Sequence, residues 1–212
     1  MVSATTLAAF AVIALGLVCS PGPNMIYLIS RSITQGRWAG FISLLGVISG
    51  FVFYMACAAL GITALLMTVP FAYEAIQWAG AAYLLYLAWS AVKPGAANML
   101  QPRTDLPIDG PRKLFLMGFL TNLLNPKVAV LYLSLLPQFI DPAQGNVLLQ
   151  SFILGGTQIA VSFSVNLLIV LAAGSVARWF GTKPTWLKVQ RWLMAGILTA
   201  LAMRLVLERR PA

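Results

Sequence analysis

The sequence predicts an all-α membrane protein: six transmembrane helices in two inverted three-helix repeats, with the first and fourth helices broken at proline. Three observations lead there. Hydrophobic residues make up 60% of the 212, charged residues only 9%, and mean hydropathy is +0.87, well outside the range of soluble domains. The apolar residues gather into six runs that read as spanning segments, for which ~20 residues are needed. Two of those runs are interrupted by proline beside a polar residue, at corresponding places in the two halves.

The first run, Leu7 to Ile29, contains Ser20-Pro21-Gly22-Pro23-Asn24. Prolines and glycine disfavour a continuous helix, and proline also withholds an amide donor. In a bilayer the freed carbonyls survive only where protein or a wet cavity satisfies them. Ser20 reads as the N-cap and Pro21 as the first residue of a half-helix, whose positive end turns inward and suits an anion. A structural kink is the plainer reading of the same residues. Arg31 and Arg37 mark a connector, and the second run spans Gly40 to Met67. In it Gly46 and Gly50 stand at the small-xxx-small spacing that lets helices approach closely. Pro70 and Glu74 punctuate the next connector, and Ile76 to Val92 form the third run, with Trp78 and Trp89 as interface anchors.

The polar stretch 93–113 is the seam of the chain, so residues 1–92 read as one repeat, 93–113 as a cytoplasmic linker and 114–212 as the second repeat. The fourth run, Leu114 to Leu136, is broken at Asn125-Pro126-Lys127, again a capping residue before a proline. The fifth runs from Val147 to Ala177 and the sixth from Leu193 to Leu207. Lysine and arginine decorate the connectors after the first, third and fifth runs and are missing from the other two, which places the odd connectors in the cytoplasm and the N-terminus outside. The basic tail at Arg209 and Arg210 runs against this orientation. Pairing Pro21 with Pro126 also pairs Tyr27 with Tyr132 and Gly50 with Gly155, so Gly155 joins Gly46 and Gly50 as a helix-packing candidate. Three spans per unit would insert the second copy upside down, and matched broken helices in inverted halves point to a transporter's central site.

The net charge of +9 would suggest nucleic acid in a soluble chain; here it serves topology, with the lipid bilayer as partner. There is no histidine, and Cys19 and Cys57 lie in apolar runs where they read as small hydrophobes, so no metal or cofactor is expected. No phosphate-binding loop or catalytic triad appears, which excludes the usual ATPase and hydrolase routes. Lys127 stands out as a charge deep within a span; it faces a cavity to attract a carboxylate or carry a proton, or else snorkels to an interface. The candidate substrate-binding residues are Ser20, Pro21, Gly22, Pro23, Asn24, Tyr27, Asn122, Asn125, Pro126 and Lys127. Gln158 and Asn166 read as interhelical hydrogen bonds.

Pro21-Gly22-Pro23-Asn24, Arg31-Ser32, Gly36, Gly46 and Gly50 resemble the first half of the LysE/RhtB family of amino-acid exporters. Gly80-Ala81-Ala82-Tyr83-Leu84 resembles its third span; Gly118-Phe119, Asn122, Asn125-Pro126-Lys127 and Leu136-Pro137-Gln138-Phe139 resemble its fourth. The resemblance implies proton-driven efflux of amino acids from the bacterial cytoplasm by a multi-pass inner-membrane protein, with a homodimer among the assemblies open to it. The branch that exports basic amino acids resembles Asn-Pro-His with membrane aspartates; Lys127, Phe51 and Leu131 stand in those places here. That favours the RhtB-like branch and neutral cargo: threonine, homoserine, its lactone or leucine-like compounds. The expected effect of Lys127→Ala is loss of export with folding retained. Two alternatives remain at this level, a membrane thiol–disulfide electron-transfer protein using Cys19 and a non-transporting scaffold.

Overall fold

The computed structural model describes residues 2–68, 105–173, and single positions at 78–93, 103, 175 and 189–207. Most of the expected third and sixth spans, and the basic tail, therefore lie outside the described residues. Trp78 and Trp89 are both helical and well exposed, as lipid- or interface-facing anchors would be.

Every described α-helix but one begins with a capping residue, a proline, or both. Helix α1 (Ala4–Cys19) starts on Ser3, whose hydroxyl accepts from Thr6 N. Helix α2 (Pro23–Gln35) starts with Gly22 at the cap and Pro23 as its first residue. Helix α4 (Pro111–Leu123) follows the same plan with Gly110 and Pro111. Helix α5 (Pro126–Val130) is capped by Asn125, and α6 (Val147–Leu171) by Asn146. The exception, α3 (Arg37–Thr68), follows α2 directly across Gly36, whose φ of 87° is a left-handed turn suited to glycine. After α5 the chain passes through a π turn, Leu131–Leu135, and a 3-10 turn, Leu136–Phe139. Pro137 has no N–H to keep an α ladder going there.

Among the described residues α3 and α6 are each long and apolar enough to span a membrane, and α1 with α2 forms a third such unit bent by 53°. All described regular structure is helical, in keeping with an all-α membrane protein. Helix α3 packs along α2, α4 and α6, while α6 also covers α1. The α3/α4 seam is the tightest. A Cβ on Gly46 would collide with the carbonyl of Phe115, one on Gly118 with the carbonyl of Ser43, and one on Gly50 would stand 2.6 Å from Asn122 Oδ1. Bare backbone at these positions lets α3 and α4 touch along their length. A Cβ on Gly155 would sit 2.5 Å from Met55, which gives α6 a similar close approach to α3.

Four expectations need correction. Ser20 is the C-cap of α1 rather than the N-cap of the next half-helix, which starts two residues later at Pro23. The structural counterpart of Pro126 is accordingly Pro23, not Pro21. Arg31 does not mark a connector: α2 meets no breaker before Gly36, so Arg31 lies inside it with only 2% of its surface exposed. Cys19 and Cys57 are exposed rather than packed as core hydrophobes.

Candidate functional site

The two breaks meet. Lys127 Nζ, from the first turn of α5, donates to Ser20 O (3.0 Å), Ser20 Oγ (2.8 Å) and Pro21 O (3.4 Å). The chemistry of the break explains the match. Pro21 and Pro23 contribute no N–H, so the end of α1 is rich in acceptors and poor in donors, and an ammonium offers three donors. Its positive charge also lies at the negative end of the α1 dipole. Gly22 leaves room for this arrangement, since a Cβ there would stand 3.2 Å from Nζ and 3.3 Å from Cδ of Lys127. The second break is handled locally. Asn125 Oδ1 accepts from Lys127 N at 3.0 Å, which removes that amide from the helical ladder. The carbonyl of Leu123, four residues back, takes the hydroxyl of Tyr54 instead, at 2.8 Å.

Between the breaks lies a cavity of about 40 Å³. Its polar lining comes from Ser20, Gly22, Asn24, Asn125, Lys127, Gln158 and Asn166; its apolar lining comes from Leu17, Val18, Met25, Phe51, Val128 and Leu131. That volume holds about three waters at ~10–15 Å³ each and is too small for an amino acid. Two lining oxygens, Asn24 Oδ1 and Gln158 Oε1, are buried without a partner, a state that costs ~1–3 kcal/mol each unless something fills the space. The start of α2 has no side-chain cap, so its first free amides, on Asn24 and Met25, border the same cavity.

A second polar cluster surrounds Arg31, toward the Gly36 end of α2. Its guanidinium donates to Asp109 Oδ2 (2.5 Å), Pro107 O (3.0 Å) and Gln35 Oε1 (3.1 Å), and it lies over the Tyr27 ring. Gln35 binds the backbone of Asp109 in both directions, donating to its carbonyl and accepting from its amide. Lys113 takes the other carboxylate oxygen at 2.7 Å. The hydrogen bond from Lys113, with the charges of Arg31 and Lys113, holds the Asp109 carboxyl below the usual carboxylate range.

Ser20, Gly22, Asn24, Asn125 and Lys127 therefore converge on one cavity. Pro21 lends its carbonyl to Lys127 from outside the lining, Pro23 starts α2, and Pro126 starts α5. Tyr27 lies elsewhere, its hydroxyl donating to Leu114 O and accepting from Ser43. Asn122 is fully buried against Gly50, both amide atoms unpartnered, and does not line the cavity. Gln158 and Asn166 bond within their own helix, to Ser162 Oγ and Ser162 O, rather than between helices, and they face the cavity. The sequence reading overlooked Arg31 and Asp109 as a buried pair. The absence of Gly or Pro from Ile29 to Gln35 was the available signal for Arg31; nothing marks Asp109 among the prolines of its loop.

The family model described as LysE type translocator matches residues 15–209. Leucine efflux proteins of Salmonella typhimurium and Salmonella typhi are each 29% identical over 192 residues, covering 91% of this chain and 90% of the relative. No solved structure matches. With paired helix breaks around a shared polar cavity and a family match over nearly its whole length, the chain belongs to the LysE type translocators and is a membrane transporter rather than an enzyme.

Proposed function

We infer that the chain exports neutral amino acids with aliphatic side chains from the bacterial cytoplasm across the inner membrane, by alternating access and in exchange for protons. The observation that carries this reading is the cavity shared by the two breaks. It offers a carboxylate the Lys127 ammonium and the uncapped amides of α2, and offers an α-ammonium the unpartnered oxygens of Asn24 and Gln158. Leu17, Val18, Met25, Phe51, Val128 and Leu131 would surround an aliphatic side chain. No aspartate or glutamate is among the described lining residues, so a cationic side chain such as that of lysine would lack a counter-charge. Leucine is the first cargo to test, given the names of the relatives; threonine, homoserine and its lactone follow.

In this mechanism the cargo carboxylate takes over Lys127 from the carbonyls of Ser20 and Pro21. The end of α1 then loses its donors, which loosens the first break and couples occupancy to movement of one three-helix half against its inverted counterpart. Proton transfer at Lys127 would reset the contact. Counterflow in proteoliposomes across a panel of amino acids, with and without a pH gradient, tests the reading. Saturable leucine flux that a pH gradient drives is the expected result. Absence of flux for every neutral amino acid would remove the exporter assignment, and gradient-independent net flux would remove the proton.

A further inference from the structure

We propose that Arg31 is an intake site for the carboxylate of the exported amino acid, and that Asp109 is a built-in carboxylate occupying that site in the absence of cargo. The proposal rests on the exporter reading and concerns a place outside the central cavity. Arg31 lies eight residues along α2 from Pro23, which is ~12 Å toward the Gly36 end. It is almost wholly buried, a position arginine rarely takes without a function or a full set of partners.

Its set is incomplete. An arginine binds a carboxylate best through two parallel N–H groups. Here Asp109 meets the guanidinium through one oxygen only, Oδ2 on Nη2, because Lys113 draws Oδ1 away. Arg31 Nε is buried with no partner. The fork is therefore half filled, and a free carboxylate could take Nε together with Nη2 in a way that Asp109 does not. The strap is built for release as well. Lys113 is largely exposed and holds Asp109 from the outer side, so a displaced carboxylate keeps a counter-charge as it leaves. Gln35 on the Asp109 backbone, Arg31 Nη1 on Pro107 O and Ser30 Oγ, which accepts from Arg103 N, also clasp this segment to α2, and Arg31 Nη2 reaches Met117 Sδ at 3.5 Å. Tyr27, one turn inward and under the guanidinium, lies between Arg31 and Asn24 on α2, which leads from the intake site to the central cavity.

The test uses the full-length protein in lipid nanodiscs and proteoliposomes, with L-leucine as probe and L-leucinamide, which has no carboxylate, as comparison. Arg31→Gln should weaken L-leucine binding tenfold or more with little change for L-leucinamide, and Arg31→Lys should fall between. Asp109→Asn should tighten L-leucine binding at least threefold, because the internal competitor is gone. Lys113→Met, on an exposed side chain, should weaken it about threefold by freeing Oδ1 to fill the fork. A purely structural ion pair predicts the opposite pattern: Arg31→Gln and Asp109→Asn would lower thermal stability and binding together. That parallel loss, or unchanged L-leucine affinity in Arg31→Gln, would overturn the intake site while leaving the exporter reading intact. If Asp109→Asn does not fold, the sign for Lys113→Met decides alone, and no effect or tighter binding refutes the proposal. Failure of the wild type to bind or move any neutral amino acid would sink the exporter reading and the intake site with it.

Discussion

The two helix breaks solve the same problem by different means. At the first, the acceptors of Ser20 and Pro21 are served from across the molecule by one long, flexible side chain, Lys127. At the second, Asn125 caps α5 within two residues, and Tyr54 reaches the Leu123 carbonyl from α3, which is pressed against α4 by Gly46, Gly50 and Gly118. One break hangs on a side chain with four rotatable bonds; the other is set in close-packed backbone. The difference teaches which part of the site can move. The α4–α3 seam behaves as the fixed wall, and the end of α1 as the part that yields when Lys127 is drawn elsewhere.

The strongest way to break this contrast is Lys127→Ala. Three charge-assisted hydrogen bonds, ~1.5–3 kcal/mol each, are lost, while the ~3 kcal/mol cost of placing an ammonium in a span is recovered. The net expectation is a stability loss of about 1.5–6 kcal/mol in detergent unfolding. That modifies the simpler expectation that only transport would suffer. Export should fall roughly a hundredfold, the equivalent of ~3 kcal/mol of carboxylate binding. Export at wild-type rates with normal expression would take Lys127 out of the mechanism.

Gly46→Ala tests the fixed wall. Its methyl must displace the backbone of α4 at Phe115, for about 1–3 kcal/mol, whereas Gly16→Ala in α1, where nothing stands within 4 Å, should be neutral or slightly stabilising. Equal melting temperatures for the two variants would contradict the tight seam. Tyr54→Phe leaves the Leu123 carbonyl unpaired for ~1–2 kcal/mol, and Asn125→Ala removes the α5 cap for ~1 kcal/mol. Both should lower the melting temperature with less effect on leucine affinity than Lys127→Ala; a larger effect would make the second break the moving one.

The smallest effect concerns pH. Because the Asp109 carboxyl is held below its ordinary value of about 3.8 by Lys113 and Arg31, its stabilisation of the 105–110 strap is fully present above that value and disappears as pH falls through the lower folded one. Melting temperature should drop as pH falls below about 3.8 in the wild type, and less so in Asp109→Asn. Parallel profiles would show that the carboxylate is not what acid releases.

Much of this was legible because local chemistry spelled it. Asn125-Pro126 is a cap and first-turn proline in any helix, and the hydropathy of α3 and α6 leaves little choice of medium. The first break was misread by two residues because Ser20-Pro21 and Gly22-Pro23 are both acceptable starts. The choice fell to Gly22-Pro23 because Lys127 claims the Ser20 hydroxyl, a contact 107 residues away in sequence. Arg31 was assigned to a connector because a charge after an apolar run usually ends a span. Its partner Asp109 lies beyond the third run, inside the linker, so no local pattern could have paired them. Gln158 and Asn166 were given partners on other helices, whereas α6 itself supplies Ser162.

That last feature has a mechanical meaning. Ser151, Thr157, Gln158, Ser164 and Asn166 all make hydrogen bonds to residues of α6 itself. When α6 shifts against α1, α2 and α3, those bonds travel with it and none has to be broken and remade. The helix acts as a bearing surface, low in friction because its polar groups grip their own shaft. Its tether is at one end, where Gln150 holds the amide and carbonyl of Asp141. A shaft free to slide but pinned at its Gln150 end would pivot there, and its widest swing would fall at the far end, beyond Asn166.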